Sequence, residues 1–90
     1  MTTRGSFEVK NRLGLHARAA TKLVELASKF PCEVSVGRDG QVANAKSVMG
    51  VLLLCGSKGT ILVVEASGER ADEAVRRIGE LIDARFGEAD

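Results

Sequence analysis

Apolar and polar residues alternate along four short segments of the chain, a pattern typical of strands with one buried face. The segments lie at residues 7–9, 32–36, 41–45 and 60–67. Between the second and third, Asp39-Gly40 favours a two-residue hairpin turn. The positions that we assign to the buried face are Phe7, Val9, Cys32, Val34, Val36, Ala43, Ala45, Leu62, Val64 and Ala66.

Three further segments carry apolar residues at helical spacing, which predicts helices with one buried stripe. The first is expected from Ala17 to Lys29, and Pro31 prevents its continuation. Ser47 is expected to cap a short apolar helix over residues 48–54. The last helix is expected from Arg70 to Phe86. Charges four residues apart predict ion pairs on the exposed helix faces: Glu25–Lys29, Asp72–Arg76, Glu73–Arg77 and Arg76–Glu80.

The order of these elements, βαββαβα, favours an α+β fold. Four short strands and three helices within 90 residues predict an antiparallel sheet with the helices on one face. A chain of this length forms one domain, residues 1–90. The acidic tail, Gly87 to Asp90, is expected to fray.

Composition narrows the class of protein. The net charge of +1 argues against general nucleic-acid binding. No apolar run is long enough to cross a membrane and no signal segment opens the chain, so we expect a cytoplasmic protein. The spacing of Cys32 and Cys55 fits neither a redox pair nor a metal site, and both are expected to be small buried residues. We therefore expect no metal site. We also expect no cofactor and a monomeric chain.

The only histidine, His16, marks the candidate chemistry. It follows a loop containing Gly14 and directly precedes the first predicted helix. Residues 9–24 include four basic side chains and no acidic one, namely Lys10, Arg12, Arg18 and Lys22. This positive field disfavours an imidazolium and leaves a ring nitrogen free for attack.

The start of a helix suits a phosphoryl group. The backbone N–H groups of Ala17 and Arg18 would lack helical partners and face the phosphoryl oxygens. The guanidinium of Arg18 would add charge, and Gly14 would let the loop pass close to the imidazole ring. Since no acid lies near His16 in the sequence, a group carrier fits better than a hydrolase. The alternative is an ordinary surface or capping histidine.

Two motifs strengthen the phosphoryl interpretation. The segment Leu13-Gly14-Leu15-His16-Ala17-Arg18 resembles the active-site motif of the histidine-containing phosphocarrier proteins, the HPr family. Ala45-Lys46-Ser47-Val48-Met49-Gly50-Val51 resembles their second signature, around a regulatory serine. The likeness extends from Phe7 to about Phe86 and implies an open-faced β-sandwich.

The resemblance also implies a function. His16 would accept a phosphoryl group on Nδ1 from phosphorylated enzyme I, with Arg18 as its charge partner. It would pass the group to a IIA protein or domain, for sugar transport or for regulation. One departure is Ala19, where the family usually has proline, which bears on the stiffness of the loop and on the transfer rate. Residues 11–14 and 22–26 look like the nitrogen-related branch and residues 46–50 like the kinase-regulated carriers, so both branches stay open.

Ser47 and its helix are the expected regulatory and docking region. By resemblance, Ser47 is a target of an HPr kinase/phosphorylase, and a phosphate there would weaken the binding of enzyme I. An exposed apolar patch near basic residues would suit partner proteins. The residues that we assign to partner binding are Arg12, Lys22, Val48, Met49 and Leu52. The alternative is a non-catalytic binding module of the same fold, which would act through the Ser47 helix and be indifferent to His16→Ala.

Overall fold

The predicted order of strands and helices is confirmed by a computed structural model, which describes residues 2–90. The elements are β1 (Thr2–Glu8), α1 (Ala17–Ala27), β2 (Glu33–Arg38), β3 (Gln41–Asn44), α2 (Val48–Leu53), β4 (Ile61–Ser67), α3 (Ala71–Asp83) and a 3-10 turn (Arg85–Gly87). The strands form one antiparallel sheet in the order β1-β4-β2-β3, with the helices on one face.

The hairpin between β2 and β3 forms where the sequence predicts it. Asp39 and Gly40 have φ angles of +46° and +82°, and both lie in the left-handed region. Two residues of this conformation make the tight turn whose twist matches that of antiparallel strands. Arg38 pairs with Gln41 directly beyond the turn.

The core lies between the sheet and the helices and is almost wholly aliphatic. The alternation assigns the buried face correctly: Val34, Val36, Leu62, Val64 and Ala66 all point into the core. Leu23 of α1 and Ile78 of α3 cover them from the other side. Phe7 and Ala43 are only partly buried, because they pack at the edge of this core.

The last helix ends earlier than the sequence predicts, and this difference shapes the functional region. α3 stops at Asp83, since Arg85 and Phe86 adopt left-handed φ angles of +57° and +55°. Phe86 nevertheless remains fully buried, so the ring stays in the core while the backbone turns away. The turn directs the final residues toward the start of α1, where the backbone N–H of Arg12 donates to the carbonyl of Asp90 at 3.0 Å.

Two of the four predicted helix ion pairs form. Arg76 and Glu80 lie 3.4 Å apart, and Arg77 and Glu73 lie 3.9 Å apart. Within residues 2–90, neither Glu25–Lys29 nor Asp72–Arg76 lies within ion-pair distance. The Asp72 carboxylate instead accepts a hydrogen bond from the hydroxyl of Thr3, which draws it away from Arg76.

The cysteines differ from each other. Cys32 is buried as expected, but Cys55 is exposed because it lies at a left-handed turn (φ +54°) just beyond α2. Both thiols are free. In the part of the chain that the structure describes, no helix is long and apolar enough to span a bilayer.

Candidate functional site

His16 occupies the N-cap of α1, as the sequence predicts. Its backbone is extended (φ −76°, ψ 178°), and its carbonyl accepts the first helical bond, from the N–H of Ala20, at 2.9 Å. The His16 side chain makes no capping hydrogen bond. The imidazole therefore stands at the start of the helix without closing it.

The loop before His16 is held against the segment that follows α2. The N–H of Leu15 donates to the carbonyl of Gly56 at 2.8 Å. Gly14 has a φ of +67°, and a Cβ at this position would collide with the Gly56 carbonyl. Glycine is thus required here by the close approach to the backbone of Gly56 and Ser57, and its room for the imidazole ring stays a prediction.

Asn11 fixes the same loop from within, a role that the sequence analysis missed. Its side chain is fully buried, and Nδ2 donates to the carbonyl of Gly14 at 2.8 Å. The N–H of Gly14 donates back to the carbonyl of Asn11 at 3.1 Å. A buried amide that bonds both to its own loop and beyond it sets the loop conformation.

The first turn of α1 keeps its hydrogen-bond donors open. Among residues 2–90, the N–H groups of Ala17, Arg18 and Ala19 have no partner. Such unpaired donors, together with the positive end of the helix dipole, form an anion-binding position. The amides of Ala17 and Arg18 are thus open, and their binding of a phosphoryl group stays a prediction.

A carboxylate reaches His16 from the end of the chain. Glu88 contacts Nε2 of His16 with one carboxylate oxygen and accepts a hydrogen bond from Nδ2 of Asn11 with the other, at 2.9 Å. The side chains of His16 and Glu88 are only 27% and 16% exposed. The prediction that residues 87–90 fray is therefore wrong, and the acid that the sequence lacks near His16 is supplied in the fold by Glu88.

The charge of Glu88 is favoured by its surroundings. The hydrogen bond from Asn11, then the hydrogen bond and charge of His16, hold the pKa of Glu88 below its ordinary value, although partial burial opposes this. An ionised carboxylate can only accept a hydrogen bond, so its contact with Nε2 favours the neutral tautomer that carries the ring proton on Nε2. In that tautomer Nδ1 carries the lone pair.

A shallow groove of about 480 Å³ opens beside the imidazole. Its walls come from the loop before α1, the first turn of α1 and the last three residues of the chain. Arg18 lines it with an exposed side chain that has no hydrogen-bond or ion-pair partner in the described range 2–90. Arg12 also lines it and lies 3.9 Å from Asp90. A larger depression of about 550 Å³, near Pro31 and Lys46, contains none of these residues.

Lys22 lies outside this groove. Its ammonium donates to the carbonyl of Phe86 at 2.7 Å, in a partly buried position. The ammonium of Lys22 is thus engaged with the carbonyl of Phe86, whereas the sequence analysis assigned Lys22 to partner docking.

Ser47 caps α2 as predicted, since its Oγ accepts a hydrogen bond from the N–H of Gly50 at 3.1 Å. On this helix Met49 and Leu53 are the exposed apolar residues, at 69% and 71% exposure. Val48 and Leu52 are partly buried, so the prediction that they are exposed is wrong. The predicted exposure of Met49 is confirmed, and its part in partner binding stays a prediction. The helical spacing of four between Met49 and Leu53 was the signal that could have identified this face.

Comparison with known proteins agrees with the architecture. Residues 3–84 match the family described as PTS HPr component phosphorylation site. The phosphocarrier protein HPr of Pseudomonas aeruginosa is 47% identical over 81 residues, which is 89% of this chain and 90% of that protein. The phosphocarrier protein NPr of Shewanella violacea is 46% identical over 79 residues, which is 88% and 87% of the two chains. The crystal structure of HPr-C-His from Thermoanaerobacter tengcongensis superimposes with a TM-score of 0.94 at 39% identity, over 98% of this chain and 99% of that one.

Proposed function

Because the chain belongs to the HPr family of phosphocarrier proteins of the phosphotransferase system, we propose that it carries a phosphoryl group on Nδ1 of His16. It accepts the group from phosphorylated enzyme I and delivers it to a IIA protein or domain in the cytoplasm. The observation that carries the proposal is the open N-terminus of α1: within residues 2–90, three amides of the turn that His16 caps have no partner, and Arg18 lines the same groove as the imidazole.

Each part of this arrangement has a role in the proposed transfer. Nδ1 supplies the electron pair that bonds to phosphorus, because the contact with Glu88 engages Nε2. The amides of Ala17 and Arg18 donate to the phosphoryl oxygens, and the Arg18 guanidinium offsets their charge. Positioning and charge stabilisation are the main requirements of phosphoryl transfer, so these few groups suffice.

A stoichiometric carrier fits the site better than a hydrolase. The carboxylate that contacts the imidazole, Glu88, is already bound to His16 and to Asn11 and does not stand free to activate water. Asp90 lines the same groove, and its carboxylate lies 3.9 Å from Arg12. The phosphoryl group would therefore remain on His16 until an acceptor docks.

We place partner docking on the surface formed by the groove and the exposed side of α2. Met49, Leu53 and Leu13 expose large apolar side chains, and Arg12 and Arg18 line the groove together with Leu13 and supply its positive charge. An apolar patch with basic residues at its edge fits acidic, partly apolar partner surfaces. Val48, Leu52 and Lys22 would act here mainly by supporting the surface from below.

Ser47 is the proposed regulatory residue, phosphorylated by an HPr kinase/phosphorylase. Its hydroxyl is half-buried and engaged with Gly50. A phosphate at this N-cap would be tolerated by the helix dipole and would place negative charge beside Met49 on the docking surface. Relatives named HPr and NPr match almost equally well, at 47% and 46% identity, so sugar transport and nitrogen-related regulation both remain within the proposal.

Intact-protein mass spectrometry tests the proposal. The chain is incubated with phosphoenolpyruvate and enzyme I, with His16→Ala treated in parallel. We expect one acid-labile phosphoryl adduct on the wild type and none on the variant. An adduct that persists in His16→Ala would contradict the assignment. If the wild type gains no adduct and His16→Ala binds partners unchanged, the binding module acting through α2 is the correct interpretation.

A further inference from the structure

The end of the chain is fastened beside His16 at several points. Phe86 is buried in the core, and its carbonyl accepts a hydrogen bond from the ammonium of Lys22 at 2.7 Å. Two residues later Glu88 is bound by Asn11, and the carbonyl of Asp90 is bound by the N–H of Arg12 at 3.0 Å. Anchors on both sides of Glu88 restrict where its carboxylate lies.

Asn11 couples this anchored tail to the loop that carries the histidine. One nitrogen, Nδ2, donates both to the carbonyl of Gly14 and to a carboxylate oxygen of Glu88, at 2.8 and 2.9 Å. Because Asn11 is fully buried, its amide has little freedom to turn. The loop conformation and the carboxylate position are therefore set together.

We propose that Glu88 is a positioning residue for His16, which holds the ring by its Nε2–H and presents the lone pair of Nδ1 to the phosphoryl donor. This inference rests on the proposed function of His16. It assigns a task to a residue outside both sequence motifs, in a part of the chain beyond the family match, which ends at residue 84.

The carboxylate would contribute most during the transfer itself. As the lone pair of Nδ1 bonds to phosphorus, the bond between phosphorus and the donor atom of enzyme I breaks and its electron pair leaves with the donor. The ring becomes positively charged, while its proton stays on Nε2 and is held by Glu88. A carboxylate that orients an imidazole and stabilises its positive form is the arrangement that serves other nucleophilic and general-base histidines. On delivery to the acceptor the same steps run in reverse.

The position of Glu88 also avoids the obvious conflict between two anions. It contacts Nε2, so Nδ1 and the amides of the first helical turn stay open to the phosphoryl group. Arg18, which has no partner of its own in the described residues, remains available to offset the phosphoryl charge.

Kinetics with enzyme I test the proposal, with the carrier as the varied substrate. Glu88→Ala should lower kcat about tenfold, the worth of one charge-assisted hydrogen bond, and leave KM within about twofold. Glu88→Gln keeps an oxygen acceptor and loses the charge, so its kcat should lie between those of the wild type and Glu88→Ala. Glu65→Ala and Glu65→Gln are the matched controls: they remove the same groups from the Arg4 ion pair on the sheet and should match the wild type.

Nitrogen-15 NMR of His16 adds a readout that general destabilisation would not move. The neutral ring should carry its proton on Nε2 in the wild type and exchange between both nitrogens in Glu88→Ala. Equal kcat values for wild type and Glu88→Ala, or a faster variant, would overturn the proposal. If Glu88→Ala does not fold, Glu88→Gln decides. A wild type that accepts no phosphoryl group would refute the proposed function, and the NMR result would still report whether Glu88 sets the tautomer.

Discussion

The helices α1 and α2 both begin after an extended N-cap residue, but only in α2 does the side chain of that residue accept a hydrogen bond from the first turn. Each follows an extended N-cap residue, His16 in one case and Ser47 in the other. Ser47 closes its helix, because its Oγ accepts the N–H of Gly50. His16 makes no such bond, and in the part of the chain that the structure describes the first three amides of α1 stay unpaired. An unfilled cap forgoes stability that a serine would supply, and it keeps donors available for an anion.

The difference shows that α2 depends on its cap for stability, whereas α1 is stable with its first amides open for binding. α1 is anchored by its buried stripe and by the tail at Phe86, so it does not need a capping bond. α2 has only six residues and one fully buried side chain, Val51. A helix that short gains relatively more from its cap.

Removing Arg18 should produce the largest change at the open end. Arg18→Ala is expected to slow phosphoryl transfer about 10- to 100-fold, since a charged donor to the phosphoryl oxygens is lost. The free energy of unfolding should change by less than about 0.5 kcal/mol, because the side chain is exposed and unpaired within residues 2–90. Rapid-quench kinetics measure the rate, with Arg4→Ala on the sheet as control. Equal rates for Arg18→Ala and the control would remove Arg18 from the mechanism.

Variants of Ser47 distinguish its capping of α2 from the effect of a negative charge at the start of that helix. Ser47→Ala should lower the free energy of unfolding by about 1 kcal/mol in urea titrations, since the bond to Gly50 is lost. Ser47→Asp keeps an acceptor for that N–H, so its stability should stay near the wild-type value. The added charge should instead raise KM for enzyme I. An unchanged KM in Ser47→Asp would count against regulation by a phosphate at this position.

The contact between Glu88 and the open end should appear in the pH dependence of stability. The folded state lowers the pKa of Glu88 below its ordinary value of 4.5, chiefly through Asn11 and then through His16 and Lys22. Its stabilising contribution is therefore complete above that value and declines as the pH falls through the lower pKa of the folded state. Thermal unfolding of wild type and Glu88→Gln from pH 7 to pH 3 measures this. The Tm difference should shrink on acidification, and a constant difference would mean that the charge of Glu88 does not contribute.

Introducing proline after Arg18 should have the smallest effect on the transfer rate. Ala19→Pro removes one of the three open amides and leaves those of Ala17 and Arg18 in place. Because one neutral donor contributes little, the transfer rate should stay within about threefold of the wild type. Quench kinetics and thermal unfolding report rate and fold separately. A larger loss of rate without a loss of fold would give the N–H of Ala19 a direct part in holding the phosphoryl group.

The fold was predictable from the sequence because its signals are local. Alternation over a few residues identified β2, β3 and β4, and Asp39-Gly40 identified the hairpin. Of β1, which spans Thr2–Glu8, the alternation identified only the last two residues. The same holds for the cap at Ser47, which depends on a residue three positions away. Interactions between neighbours in sequence follow from residue types and spacing alone.

Only the part of the candidate site formed by residues close together in the sequence was predictable. His16 and the open first turn follow from one short motif, but Glu88 lies 72 residues further along the chain. Nothing in an acidic C-terminal tail indicates that it folds back, since that depends on the left-handed residues Arg85 and Phe86. The role of Asn11 escaped notice for the same reason, because its second partner is Glu88.

The way the tail is fastened has a practical consequence for anyone who attaches a label or fuses this chain to another protein. Any peptide continuing beyond Asp90 would emerge at the rim of the groove that holds His16, next to Arg12. If partners dock at this groove as proposed, an affinity tag placed there would compete with them and displace Glu88. Thr2 lies at the far end of strand β1 from Glu8, the end that leads toward the histidine loop. Reporter groups are better placed there.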